Sequence, residues 1–206
     1  MPQARPVQTV FQTNRRQALG WTAASAWAGL GLAPGLVAAA ADAPEAGTAP
    51  PAELLTELPG ARAMGAGTLR FLGLEIYAAR LWVQAGFSAG AYAQSPFALE
   101  LTYHRSLSGR LIAERSLKEM QRQGPWSAAQ ESTWLQAMVQ AFPDVQNGDR
   151  LTGLHTPGAG ARFWFNARPR AAVRDTDFSR VFFGIWLSEA SSEPQLRASL
   201  LGNKPA

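Results

Sequence analysis

The sequence predicts an α+β fold built on a largely antiparallel sheet, and three observations lead there. Strand-like segments come in a run, then helices, then strands, then helices, and the βα alternation of a parallel sheet is missing. FALELTYHR, residues 97–105, alternates apolar and polar side chains with the period of two expected of a strand covered on one face. PGAG, residues 157–160, separates DRLTGLHT from ARFWFNA, and its proline and glycines suit a tight reversal between two strands.

The chain opens on what reads as a targeting segment. Residues 1–16 carry Arg5, Arg15 and Arg16 and no acid, and the run WTAASAWAGLGLAPGLVAAAA follows directly. NRRQALG matches the twin-arginine export pattern at both arginines and at Leu19, so residues 1–41 are expected to be an export signal and the protein to be periplasmic or exported. Ordinary secretion and a retained anchor are the alternatives. Gly29, Gly31, Pro34 and Gly35 weaken a run that barely reaches the roughly 20 residues a membrane span needs. Residues 42–52, DAPEAGTAPPA, lack periodicity and read as a flexible leader, which leaves one domain over 53–206.

Cleavage before Asp42 would remove three of the 19 basic residues and no acid, leaving 16 against 15. A nearly neutral chain lacks the broad basic surface that sequence-independent nucleic-acid binding requires. There is no cysteine, hence no disulfide, thiol nucleophile or thiolate ligand. The two histidines, His104 and His155, stand far from any acidic cluster with metal-ligand spacing, so no metal and no cofactor is expected.

Along the domain, ELLTEL suggests a short helical turn. GTLRFLGLEIYAARLWV, residues 67–83, reads as extended around Gly73. A two-residue turn at Leu72 and Gly73 would set Arg70 opposite Glu75 and Thr68 opposite Tyr77, with Arg80 on the other face beside Ile76, Ala78 and Trp82. SGRLIAERSLKEMQRQG predicts a helix that ends at Gly124 in a left-handed cap. SAAQESTWLQAMVQAF predicts a second, with Ser127 and Gln130 at capping-box spacing and Trp134, Met138 and Phe142 on one face. A short AAVRD segment leads into the helix DTDFSRVFFGIWLS, capped by Asp175 or Thr176, and a last helix runs from Ser192 to Gly202 with Pro194 in its first turn.

GFSAG, residues 86–90, fits the GxSxG pattern of a serine hydrolase, but AYAQSP follows it with no helical pattern, so a loop is expected. PDVQNGD lacks the glutamate that closes a calcium loop and reads as a turn. What stands out is the number of aromatics, Trp82, Trp126, Trp134, Trp164, Trp186, Phe163, Phe165, Phe182 and Phe183 among them, which could fill a core or line an apolar cleft.

The series GxxxLRFLGLEIYAARLW, PFALELTYHRSLSG, AFPDVQNGDRLTG and DFSRVFFGIWLSEASSEPQLRASLLG, over residues 61–202, resembles the bacterial chalcone-isomerase-like proteins. The resemblance implies an open-faced β-sandwich, with a curved antiparallel sheet packed against a helical layer and a ligand cleft between them. It also implies one of two behaviours, since the superfamily holds flavonoid isomerases and non-catalytic fatty-acid binders. Aligned through AARLW, the threonine that polarises the ketone in the isomerases falls on Tyr77, and the arginine of the preceding strand falls nearest to Arg70. The tyrosine and asparagine that isomerases present from a helix have no counterpart in WSAAQESTWLQAMVQAF, so the isomerase catalytic set is incomplete. The expectation is a binder of a fatty-acid-like molecule, with Arg70 pairing the acid and Tyr77 and Tyr103 donating hydrogen bonds. An isomerase or lyase acting on an enone through Arg70 and Tyr77, and an interaction protein with a filled cleft, are the rivals.

Overall fold

The computed structural model describes residues 49–203. The expected export signal, residues 1–41, and most of the leader, 42–52, lie outside the described residues. Six strands, β1 (Arg62–Phe71), β2 (Leu74–Val83), β3 (Phe97–Tyr103), β4 (Arg150–Thr156), β5 (Gly160–Phe165) and β6 (Arg168–Val173), form one antiparallel sheet in sequence order. On one face lie α2 (Gly109–Met120), α3 (Ala128–Ala141), α4 (Thr176–Leu187) and α5 (Pro194–Leu200), and on the other the single short helix α1 (Ala52–Glu57).

The alternation along β3 decides which face takes which layer. Phe97, Leu99, Leu101 and Tyr103 point into the helical side, whereas Ala98 faces α1. Helix α4 is the central element because it is apolar nearly all round, with Phe178, Val181, Phe182, Phe183, Trp186 and Leu187 buried. Its N-cap is Asp175, whose carboxylate accepts the Phe178 N–H. The capping box expected at Ser127 and Gln130 is formed, and Trp134, Met138 and Phe142 are buried along one face. Helix α5 lies directly on β1, where Gly65 permits the approach: a Cβ there would sit 2.1 Å from the Ser199 carbonyl oxygen.

Several expectations need correction. The turn at Leu72 and Gly73 exists, with φ of 50° and 78°, and Arg70 does face Glu75. Thr68 however faces Ala78, and Tyr77 faces Leu69, because Ile76 is an extra residue on β2 and the resulting bulge shifts the register by one. Gly124 does end the α2 region, but at φ 150° and ψ 167°, not in a left-handed helical cap, and a 3-10 turn at Gln121–Gln123 precedes it. Of the AAVRD segment, residues 171–173 belong to a sixth strand. β6 is an edge strand carrying Arg168, Pro169 and Arg170, and proline and charge are how an edge is kept from pairing further.

α1 is fixed to the sheet by more than Leu54 and Leu58, which pack on Trp82, Ala98, Leu154 and Trp164. The Glu53 carboxylate is buried and takes hydrogen bonds from Arg150 at 3.1 and 3.2 Å and from the Thr152 hydroxyl at 2.6 Å.

His155 is a structural residue. Its Nε2 lies 3.0 Å from the Ala93 carbonyl, which can only accept, so Nε2 carries the proton and Nδ1 accepts from the Ser179 hydroxyl at 2.7 Å. Ser88 of GFSAG is exposed, in the extended residue before a 3-10 turn (Ala89–Gln94), and His155 serves Ser179, so no nucleophile elbow exists. Burial pushes the His155 pKa down, against the opposing effect of the Ala93 carbonyl. A folded value below the unfolded one, about 6.5, means that protons bind the unfolded chain more readily. Stability is therefore expected to fall as pH drops below about 6.5 toward the folded pKa. Thermal midpoints from pH 7.5 to 5 check this; a slope identical in His155→Gln would show that another group is responsible.

Candidate functional site

A cavity of about 330 Å³ separates the sheet from the helical layer. Its floor is Leu99, Leu101 and Tyr103 of β3 with Leu151 and Gly153 of β4, and Phe182, Phe183 and Trp186 of α4 roof it. The buried residues of α2 are Gly109, Ala113, Ser116 and Met120, and of these Ser116 lines the cavity, beside Ile112 of the same helix. Of the aromatics singled out in the sequence, Phe163, Phe182, Phe183 and Trp186 line the cavity. Trp82 and Trp164 lie on the α1 face instead, and Trp134 is core.

All three expected site residues line this cavity, in unequal settings. Tyr77 accepts a hydrogen bond from the Trp186 indole N–H at 3.0 Å, which leaves its own proton free to donate. Tyr103, opposite it across the strand pair, is 2% exposed and lines the cavity. The two rings meet edge to face at 5.9 Å. Burial drives both phenol pKa values up: for Tyr77 it outweighs the Trp186 hydrogen bond, and for Tyr103 the neighbouring Tyr77 adds to it. Both therefore remain protonated near neutrality and act as hydrogen-bond donors, not as bases.

Arg70 stands at the mouth, 61% exposed and paired with Glu75. The structure thus places it at the cavity and also gives it a carboxylate. A second arginine, absent from the sequence expectation, faces it from α2: Arg115 lines the cavity and pairs with Glu119 at 2.6 Å. Glu119 is largely buried, and its other oxygen has no hydrogen bond. Glu193, at the start of α5, completes the charged rim. The four-residue spacing of Arg115 and Glu119 is visible in the sequence, but nothing there places the pair at a cavity.

On the outer face, Arg80 stacks over Trp82 at 5.5 Å and stands across from Glu100, which accepts the Trp82 indole N–H at 2.7 Å. Among the described residues no group of three or more histidine, cysteine, aspartate or glutamate side chains could hold a metal ion, and no helix is long and apolar enough to cross a membrane.

Comparison with known proteins places this geometry. The family described as chalcone isomerase-like matches residues 63–202. A fatty-acid binding protein of Arabidopsis thaliana shares the fold with a TM-score of 0.55 at 14% identity, over 69% of this chain and 87% of that one. No curated protein matches the sequence.

Proposed function

Because the chain belongs to the chalcone isomerase-like family, we propose that it is a non-catalytic binding protein for an apolar carboxylate or another lipid-like small molecule. The observation that carries this reading is the pair of tyrosines, Tyr77 and Tyr103, that line a largely apolar cavity between sheet and helices. A ligand oxygen in the cavity would accept a hydrogen bond from the Tyr103 hydroxyl. Arg70 and Arg115 at the mouth supply positive charge to an acid group, and Tyr77 donates its remaining proton. The fatty-acid binding protein of the same fold supports a ligand of this class. Residues 1–41, basic and then apolar, support a periplasmic or exported location by twin-arginine transport.

Native mass spectrometry of the purified protein is expected to release a long-chain acid or a lipid of similar shape. Tyr103→Phe is expected to weaken its binding about tenfold, the loss of one hydrogen bond to a charged or polar head, and Arg70→Ala by less, since Glu75 already occupies that guanidinium. Unchanged affinity in Arg70→Ala would remove Arg70 from the site, and a protein that takes up no apolar ligand would end the binding reading.

An isomerase acting on an enone is the second reading, and one observation favours it. Two protonated phenols side by side are placed to share a developing enolate oxygen. Substantial turnover of a chalcone, lost in Tyr77→Phe, would replace the binding reading with this one.

A further inference from the structure

Six large apolar side chains are exposed among the described residues, and four of them crowd one end of the molecule. Phe71, Leu72 and Leu74, at 61%, 85% and 48% exposure, form the tip of the β1–β2 hairpin, and Leu111 of α2, at 61%, lines the same cavity as Phe71. The clustering is continuous with the cavity, because Phe71 and Leu111 also line its mouth. Leu72 sits at φ 50°, a conformation that favours asparagine or glycine. The turn thus carries a leucine where its backbone would be better served by a polar residue, and it holds that leucine in the solvent.

The charges around the tip have an orientation. Three ion pairs lie on the elements that carry these side chains: Arg70 with Glu75 on the hairpin, and Arg110 with Glu114 and Arg115 with Glu119 on α2. In each pair the arginine is the more exposed member, 61% against 46%, 72% against 41% and 61% against 11%. Within each pair the positive group is therefore the outer one, Glu193 being the exposed acid of the same rim, and guanidinium groups are suited to phosphate.

We infer that this end of the molecule docks on a phospholipid surface, with Phe71, Leu72, Leu74 and Leu111 entering the boundary of the acyl region and the three arginines meeting headgroup phosphates. The cavity mouth then opens into lipid, and an apolar ligand passes between membrane and protein without crossing water. The docking goes beyond ligand binding and does not depend on it. Only its use for ligand exchange rests on the binding reading.

Leu72→Asn/Leu74→Thr tests the inference. Asparagine suits the left-handed position, threonine suits the strand, and neither residue lines the cavity. The full chain and this variant are sedimented with vesicles of phosphatidylcholine alone and with a third phosphatidylglycerol. Wild type is expected to bind both, more strongly when phosphatidylglycerol is present. The variant is expected to lose at least about tenfold in partitioning, with its thermal midpoint and its affinity for a fluorescent fatty acid in lipid-free solution unchanged. Residues 1–48 are common to both proteins, so any membrane affinity of that segment cancels in the comparison. Wild type that fails to sediment, a variant that sediments equally well, or light scattering that reveals a dimer dissolved by the substitution would each overturn the docking. Vesicle binding by a wild type that takes up no fatty acid would leave the docking standing and sink the ligand reading alone.

Discussion

Replacing Glu53 by alanine is expected to cost about 3 kcal/mol of folding stability and to lower the thermal midpoint by roughly 6–12 °C for a domain of this size. The Glu53 side chain is 2% exposed and that of Arg150 26%, so the substitution leaves a mostly buried cation with no carboxylate, and the Thr152 hydroxyl loses its acceptor. Arg150 Nε already lacks a partner, so the remaining nitrogens carry the whole compensation. The expected cost lies at the lower end of the range for breaking a buried pair because Arg150 can still reach some water. Urea denaturation of Glu53→Ala checks the size. A cost below about 1 kcal/mol, typical of exposed pairs, would mean that α1 is held by Leu54 and Leu58 alone. Changing both partners to apolar residues, Glu53→Leu with Arg150→Met, should recover most of the loss, since the penalty comes from the orphaned charge.

The largest functional effect is expected from Ser116→Phe. Ser116 lies on the buried face of α2 and lines the cavity, so the ring has one place to go. At about 330 Å³ the cavity is near the lower limit for enclosing a drug-sized ligand, and a phenyl ring inside it should reduce affinity by about a hundredfold or more. Stability should hold or rise, because the ring fills space that no side chain now occupies. Titration with a fluorescent fatty acid, beside a thermal melt, separates the two quantities. Retained binding in a folded variant would place the ligand elsewhere.

The parts of the fold that were legible in the sequence are those fixed by neighbours in the chain. The capping box at Ser127 and Gln130, the Asp175 cap and the turn at Leu72 and Gly73 depend on residues within four positions, and each is found as expected. Tyr103 followed from the period of two along FALELTY, which sets it on the same face as Phe97, Leu99 and Leu101. The bulge at Ile76 was not legible, since one extra residue changes the pairing without changing the pattern of side chains. β6 was missed because an edge strand advertises proline and arginine rather than alternation. The contact of Glu53 with Arg150 joins residues 97 positions apart, and only the packed sheet brings them together. The cavity was anticipated from the resemblance and from the surplus of aromatics, and Phe163, Phe182, Phe183 and Trp186 do line it.

The order of the strands has a consequence for how the site comes into being. Three of the five pairings, β1 with β2, β4 with β5 and β5 with β6, join across tight turns, so they close with little loss of chain entropy. β3 and β4 are neighbours only after the chain has laid down α2 and α3 between them, and the cavity floor is the seam of that pairing, with Leu99 facing Gly153 and Leu101 facing Leu151. The pocket is thus the joint between two locally assembled halves. A molecule bound there, in contact with both, spends part of its affinity holding the longest loop of the fold closed.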